Sequence, residues 1–365
     1  MLVGEARSKC EHLAGAPLKP AIAQELYQVT LVKGALATTA IEGNTLTEEQ
    51  VRGILDGSYK APPSRQYQEQ EARNVLDALQ SLQARIMAGE RIRLTSELIC
   101  QFNHQILKDT NLQEGVVPGQ IRTGPVVVGN YRAAPAKDCE YLLDRLADWL
   151  EDPIFTHDDP EIQFALLLAK AVYAHLYLAW IHPFGDGNGR TARLAEFVIL
   201  AASGQVPIPA AHLLSNHYNL TRDRYYQELS LASRKNQTLG FLSYAIEGFV
   251  DGIREAIGMV RTQQIEVAWI NYVHERFASQ PNTPASHRER SLVLAMPMGK
   301  FVLRDDLDGL TPKLAKLYAG AGPRVLSRDL NKLQKLGLIG HTQHGYVALS
   351  GLVQAFLPRI APTEG

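Results

Sequence analysis

Cysteine is nearly absent from these 365 residues: Cys10, Cys100 and Cys139 are the only three. They are odd in number and far apart, which excludes a clustered zinc site and a disulfide framework. An excess of one charge sign is also missing, since 37 Lys and Arg stand against 38 Asp and Glu. The whole-chain balance therefore demands neither a nucleic acid nor a membrane surface as partner. Long apolar runs are lacking. The longest, residues 164–181, is broken by Lys170 and His175 and reads as a buried helix rather than a membrane span. The first twelve residues hold no apolar core of the signal-peptide kind. The expectation is a cytoplasmic protein with no membrane partner.

What the chain does have is a hydrophobic share of 45%, enough for a real core, and a length that suggests two or three domains. Apolar positions recur at helical spacing over residues 20–41 and stop at Glu42-Gly43-Asn44, good terminating residues. Thr47 and Gln50 then form a capping-box pattern. Helical patterns also cover about 66–88, 96–108, 133–149, 160–180, 218–234 and 238–277. Two short β-type runs, 121–123 and 126–128, flank Gly124-Pro125 and predict a small hairpin in an otherwise helical domain. The fold class is mainly α.

The chemistry is concentrated in residues 182–193, His-Pro-Phe-Gly-Asp-Gly-Asn-Gly-Arg-Thr-Ala-Arg. A helix ends near Ile181, and Gly187, Asn188 and Gly189 open the next one. Small residues at a helix start leave N–H groups open to an anion, which the helix dipole favours. Arg190 and Arg193, with Thr191 between them, stand on the first turn as planar donors suited to phosphate. Asp186 is placed to hold Mg²⁺ beside phosphates. His182 titrates near neutrality and suits a general base. A calcium loop fails at Arg190, and no dinucleotide or P-loop glycine pattern is present.

This string resembles the signature of the Fic-domain family at every fixed position. The resemblance implies a Fic helical core with a small β-hairpin flap. In it His182 would deprotonate a Ser, Thr or Tyr hydroxyl of a target protein, which attacks the α-phosphate of ATP and receives AMP. Phe184 would anchor the loop and Asp186 would bind Mg²⁺. Gly187, Asn188, Gly189 and Thr191 would surround the phosphates, with Arg190 and Arg193 on the β- and γ-phosphates. Relatives resembling the toxin Doc, which transfer a phosphoryl group, carry lysine where this chain has Gly189. The hairpin resembles the family's flap, placing Val128, Gly129, Asn130 and Tyr131 beside the nucleotide, its edge open to strand addition by the target. Tyr225 and Tyr226 match paired tyrosines near the adenine, and Ser233 stands where the family usually has asparagine.

Thr38-Thr39-Ala40-Ile41-Glu42-Gly43 resembles the inhibitory helix of autoinhibited Fic proteins, Ser/Thr-x-x-x-Glu-Gly/Asn. Glu42 would then pair with Arg193 and displace the γ-phosphate, with Thr38 holding the helix down one turn earlier. Some relatives of this kind also remove AMP. The expected organisation is a helical region over 1–92 with the inhibitory helix at about 20–43, a catalytic core over 93–278, and a winged helix over 279–365. Residues 281–365 carry 11 Lys and Arg against 6 Asp and Glu. Arg324, Arg328, Lys332 and Lys335 fall on one helical face there, with a hairpin wing from His341 to Ala348. The candidate partners are ATP, an unnamed protein target, a second copy of the chain, and duplex DNA through that face. A rival class is a transcription regulator whose Fic core senses nucleotide.

Overall fold

The computed structural model describes residues 1–128, 131–320 and 322–354, with backbone alone at Val128 and Pro323. It packs as two units, residues 1–257 and 258–365.

In the first unit α1 (Leu2–Gly15), α2 (Pro20–Ala40), α3 (Glu48–Asp56), α4 (Gln66–Met87) and α5 (Ser96–Leu107) precede a small hairpin of β1 (Val127–Val128) and β2 (Tyr131–Arg132). Then come α6 (Cys139–Leu150), α7 (Pro160–Ile181), α8 (Asn188–Ala201), α9 (Ile208–Ala211), α10 (Leu213–Leu220), α11 (Arg222–Lys235) and α12 (Thr238–Ala278). The division between units falls inside α12. The capping box expected at Thr47 is formed: Gln50 N donates to Thr47 Oγ1 at 3.2 Å, and Thr47 N donates to Gln50 Oε1 at 3.0 Å.

At the centre α7 packs on α8. Among the described residues α7 is the one helix long and apolar enough to cross a membrane, with a mean hydropathy of 1.6. Its buried set, Phe164, Leu167, Leu168, Ala171, Val172, Leu176 and Leu178 among them, lies in the core, the bland reading of such a helix. The helix α2 packs on α3, α4, α8 and α10 and buries Leu31, Val32, Gly34, Ala35, Ala37, Thr38 and Thr39. It is a wall of the unit, and its end faces the start of α8.

The hairpin departs from the sequence expectation. Residues 121–123 do not pair with 126–128 across Gly124-Pro125. Val127 pairs with Arg132 and Val128 with Tyr131 instead. The reason lies in Ile121, which bridges to Phe184, and in Arg122, whose N–H donates to Pro183 O at 2.9 Å. That backbone is already taken, so Val127 and Val128 find their partners downstream. Helix α6 also begins at Cys139, later than expected, after a short 3₁₀ turn at Ala136–Asp138. Pro135 explains it, because the residue before a proline favours extended backbone and Pro135 itself is extended at ψ 136°.

In the second unit α13 (Pro284–Ala295), α14 (Pro312–Tyr318) and α15 (Pro323–Lys335) lead into β3 (Ile339–Thr342) and β4 (Gly345–Ala348). The strands are antiparallel, with Thr342 opposite Gly345. Met298 and Val302 bridge onto β4 at Ala348 and Tyr346. Leu292, Leu314, Leu326, Leu330, Leu333 and Leu338 form a separate core. Asp329, fully buried, accepts from Arg288 Nε at 2.6 Å and Nη2 at 3.1 Å and from Tyr318 Oη at 2.9 Å.

Candidate active site

Helix α7 terminates at His182, whose φ of 49° lies in the left-handed region. A non-glycine residue adopts that conformation at a cost, and it redirects the side chain away from the helix. Its N–H still donates to Leu178 O at 2.9 Å, closing the helix. The ring Nδ1 lies 3.3 Å from Ala179 O. A carbonyl only accepts, so Nδ1 carries the proton and Nε2 keeps its lone pair. Burial lowers the His182 pKa from its ordinary value. The Ala179 contact and the Glu42 and Asp186 charges oppose the shift, while Arg122 assists it. The imidazole is therefore neutral at pH 7.

The loop after His182 is held by Asn188, whose amide spans its turn. Phe184 N donates to Asn188 Oδ1 at 2.9 Å and Asn188 Nδ2 donates to Phe184 O at 2.8 Å. The Asn188 side chain is thus occupied in shaping the loop rather than free for phosphate. Gly187 has a φ of 75°, in the region that favours glycine. Phe184 is 1% exposed, a true anchor. Asp186 accepts from Gly187 N and, at 3.3 Å, from Arg190 Nη2, while half of its side chain stays exposed.

The two arginines are buried. Arg193 Nε donates to Thr38 Oγ1 at 2.6 Å, and Nη2 donates to Thr38 O at 2.9 Å and Glu42 Oε1 at 2.6 Å. Its Nη1 has no hydrogen-bond partner among the described residues. Burial raises the Glu42 pKa, but Arg193 together with Arg190 and His182 outweighs it and holds the carboxyl below its usual range. Glu42 stands so close to α8 that a Cβ at Gly189 would strike its Oε1. Arg190 meets Asp186 and, at 3.5 Å, Glu71 Oε1 of α4. Thr191 lies off the cavity, its hydroxyl buried and accepting from Asn103 Nδ2 at 3.3 Å.

A cavity of about 460 Å³ is lined by Glu42, Tyr131, Trp180, His182, Gly189, Arg193, Tyr225, Tyr226 and Ser233, together with Ala179, Leu229, Ser230 and Arg234. Tyr131 Oη donates to Trp180 O at 2.9 Å, and Tyr226 Oη donates to Ile41 O at 3.3 Å. Tyr225 is 2% exposed and its hydroxyl lies 2.9 Å from His175 Nε2, so it forms a wall and not a freely swinging contact. Ser233 Oγ donates to Ser230 O at 3.1 Å. Gly129 and Asn130 lie outside the described residues, and only the backbone of Val128 is described.

Residues 93–200 match the Fic/DOC family. The chain carries a Fic domain. Its relatives include proteins named protein adenylyltransferase fic-1 from Caenorhabditis briggsae, 32% identical over 229 residues, and from Caenorhabditis elegans, 31% over 228. Each alignment takes 62% of this chain but 41% of the relative, so the chain spans about two fifths of the length of the curated relatives it matches. A solved C. elegans Fic-1 structure superposes with a TM-score of 0.58 at 26% identity, covering 72% of both chains. A Fic family protein from Desulfovibrio desulfuricans G20 shares the fold over 94% of this chain and 91% of its own, with a TM-score of 0.56 at 20% identity.

Three further residues that hold the site's loops and arginines escape sequence reading. Arg122, 8% exposed, donates through Nε to His182 O at 2.7 Å, through Nη1 to Gly124 O at 2.6 Å, and through Nη2 to Ala134 O. It ties the loop that starts at His182 to the backbone on either side of the hairpin. Asn103 reaches Asp186 O at 2.9 Å and accepts from Gly119 N at 2.9 Å. Glu71 faces Arg190. Nothing in a single chain marks such residues, because the partners that give them their place in the site, His182, Asp186 and Arg190, lie 60 or more positions away.

Proposed function

We propose that the Fic domain transfers AMP from ATP to a hydroxyl of a protein target and is held off by Glu42. The observation that carries this reading is the convergence, on one cavity, of His182 with its Nε2 lone pair free, the open start of α8, and the buried, partly unpartnered Arg193. A target hydroxyl at His182 gives up its proton to Nε2. The oxygen attacks the α-phosphorus, the bond to the bridging oxygen breaks, and pyrophosphate leaves. N–H groups at the start of α8 and Arg193 neutralise the charge that develops on the phosphates. A histidine base has no task in a nucleotide sensor, which favours the enzyme over the regulator reading.

Mg²⁺ fits the half-exposed carboxylate of Asp186, because this ion keeps waters and phosphate oxygens and needs few protein ligands. When bound it would offset phosphate charge there. The Arg193–Glu42 contact supports the inhibited state, since Glu42 occupies a cation that an incoming phosphate needs. The test is labelled-ATP transfer to lysate proteins and to the chain itself. Glu42→Gly raises it well above wild type and His182→Ala abolishes it; equal transfer by wild type and Glu42→Gly rejects the inhibitory role.

A second partner is favoured by the second unit. Its order of three helices and a hairpin supports a winged-helix reading. The exposed side of α15 presents Arg324, Arg328, Asn331 and Lys335 beside a cleft lined entirely by polar residues. Lys332 lines the same cleft and also pairs with buried Glu289 at 2.7 Å. Such a face suits duplex DNA. Mobility-shift titration of the full chain across a salt series checks it; binding that is absent or insensitive to salt rejects it.

A further inference from the structure

The turn carrying Glu42 has a second connection to the signature helix, and it runs through α4. Asn44, two residues beyond Glu42 and 6% exposed, is pinned on three sides. Its Nδ2 donates to Gln68 O at 2.9 Å and to Glu71 Oε2 at 3.1 Å, and its Oδ1 accepts from Leu46 N at 3.1 Å. The other oxygen of Glu71, Oε1, faces Arg190 Nη1 at 3.5 Å. One carboxylate thus spans the gap between residue 44 and residue 190. Arg190 is 5% exposed, and its Nε and Nη1 lack hydrogen-bond partners among the described residues. A buried guanidinium so poorly satisfied is poised to accept an anion.

We infer that Glu71 is a positioning residue that couples the occupancy of Arg190 to the seating of Glu42. An anionic oxygen arriving at Arg190 competes with Glu71 for the guanidinium. Glu71 then loses the charge that orients it, its bond to Asn44 weakens, and the turn 41–44 loosens its hold on Arg193. Coupling of this kind is reciprocal: a seated Glu42 disfavours the nucleotide by as much as the nucleotide disfavours the seat. Glu71 touches neither Glu42 nor Arg193 in this scheme and acts only through Asn44 and Arg190. The inference rests on the inhibitory role of Glu42 proposed above.

The test uses the full chain and two variants, Asn44→Ala and Glu71→Gln. Among the described residues Asn44 makes no hydrogen bond to the 182–193 string, so its substitution reports on the seat. Asn44→Ala is expected to raise AMP transfer by about fivefold or more, the lower range of allosteric coupling. It is expected to add nothing in a Glu42→Gly background. Hydrogen exchange of residues 39–46 is the second readout. Addition of ATP speeds exchange there in the wild type, and Glu71→Gln removes that response. Circular dichroism checks that both variants are folded. The inference is overturned by an equal rise from Asn44→Ala with and without Glu42, or by an unchanged ATP response in Glu71→Gln. If Glu42→Gly transfers no AMP at all, the functional reading fails, and the exchange response alone decides the coupling.

Discussion

His212 offers a quantitative check on how the core of the first unit is built. It is 5% exposed, stacks on Phe197 with ring centroids 4.5 Å apart, and lies so close to α2 that no side chain fits at Gly34. Burial pushes its pKa down from 6.5 to about 3. A histidine depressed in this way is neutral when folded, and the unfolded chain alone takes up the proton as pH falls below 6.5. The associated stability is whole above pH 6.5 and is lost as pH drops toward 3. At about 1.4 kcal/mol per pH unit, the loss between pH 7 and 5 is about 2 kcal/mol, approaching about 5 kcal/mol near pH 3. Arg190 and Arg193 line the small void next to His212, so a charged ring has cations nearby and no carboxylate. The assay is urea unfolding of wild type and His212→Phe at pH 7 and 5. Other titrating groups are common to both proteins, so the difference in slope isolates this ring. His212→Phe should lose about 2 kcal/mol less than wild type over that interval. Parallel losses would refute the reasoning, whatever the absolute stability of the variant.

Two further outcomes follow from the site. Because burial lowers the His182 pKa, the acid limb of kcat/KM for AMP transfer should fall below pH 6.5, and removing Glu42, which raises that pKa, should move it lower still; a limb above 6.5 contradicts the buried, neutral base. Arg122→Lys replaces a fork spanning four carbonyl groups by a single ammonium, and should cost about 10²-fold in transfer rate with little change in circular dichroism, since catalytic-loop misplacement near 1 Å has that effect.

The parts of the site legible in the sequence are those whose meaning is local. His182 to Arg193 is one contiguous string, and Thr38 and Glu42 are one helical turn apart. The two sets meet at Arg193, and of them His182, Gly189, Arg193 and Glu42 line the cavity. The sequence was less informative about direction. Helix α8 is buried on nearly every side, so polarity could not tell which of its residues face the cavity, and Thr191 turned out to face Asn103. The hairpin was legible as β-type sequence but not in its pairing, because the partner of Ile121 is Phe184, far along the chain. Asn103, Arg122 and Glu71 were silent for the same reason. A lone polar residue acquires its role only when a distant backbone arrives beside it.

The depth of α2 in the first unit limits how Arg193 can be released. Leu31, Val32 and Ala35 are at most 1% exposed and belong to the same core as α7 and α8. Pulling them out would cost about 1.5–3 kcal/mol for each of the larger side chains, a sum comparable to the whole stability of an ordinary domain once neighbouring contacts are counted. The helix therefore cannot swing away as a detachable plug. Freedom is greatest past Thr39, where Glu42 and Gly43 are exposed, although Ile41 between Thr39 and Glu42 still sits fully in the core. Fraying there costs far less than global opening. Truncating the chain before residue 38 would unmake the wall behind the cavity and would not yield a permanently active form. Under the inhibition proposed above, the turn carrying Glu42 is the part of this wall that a releasing signal can move.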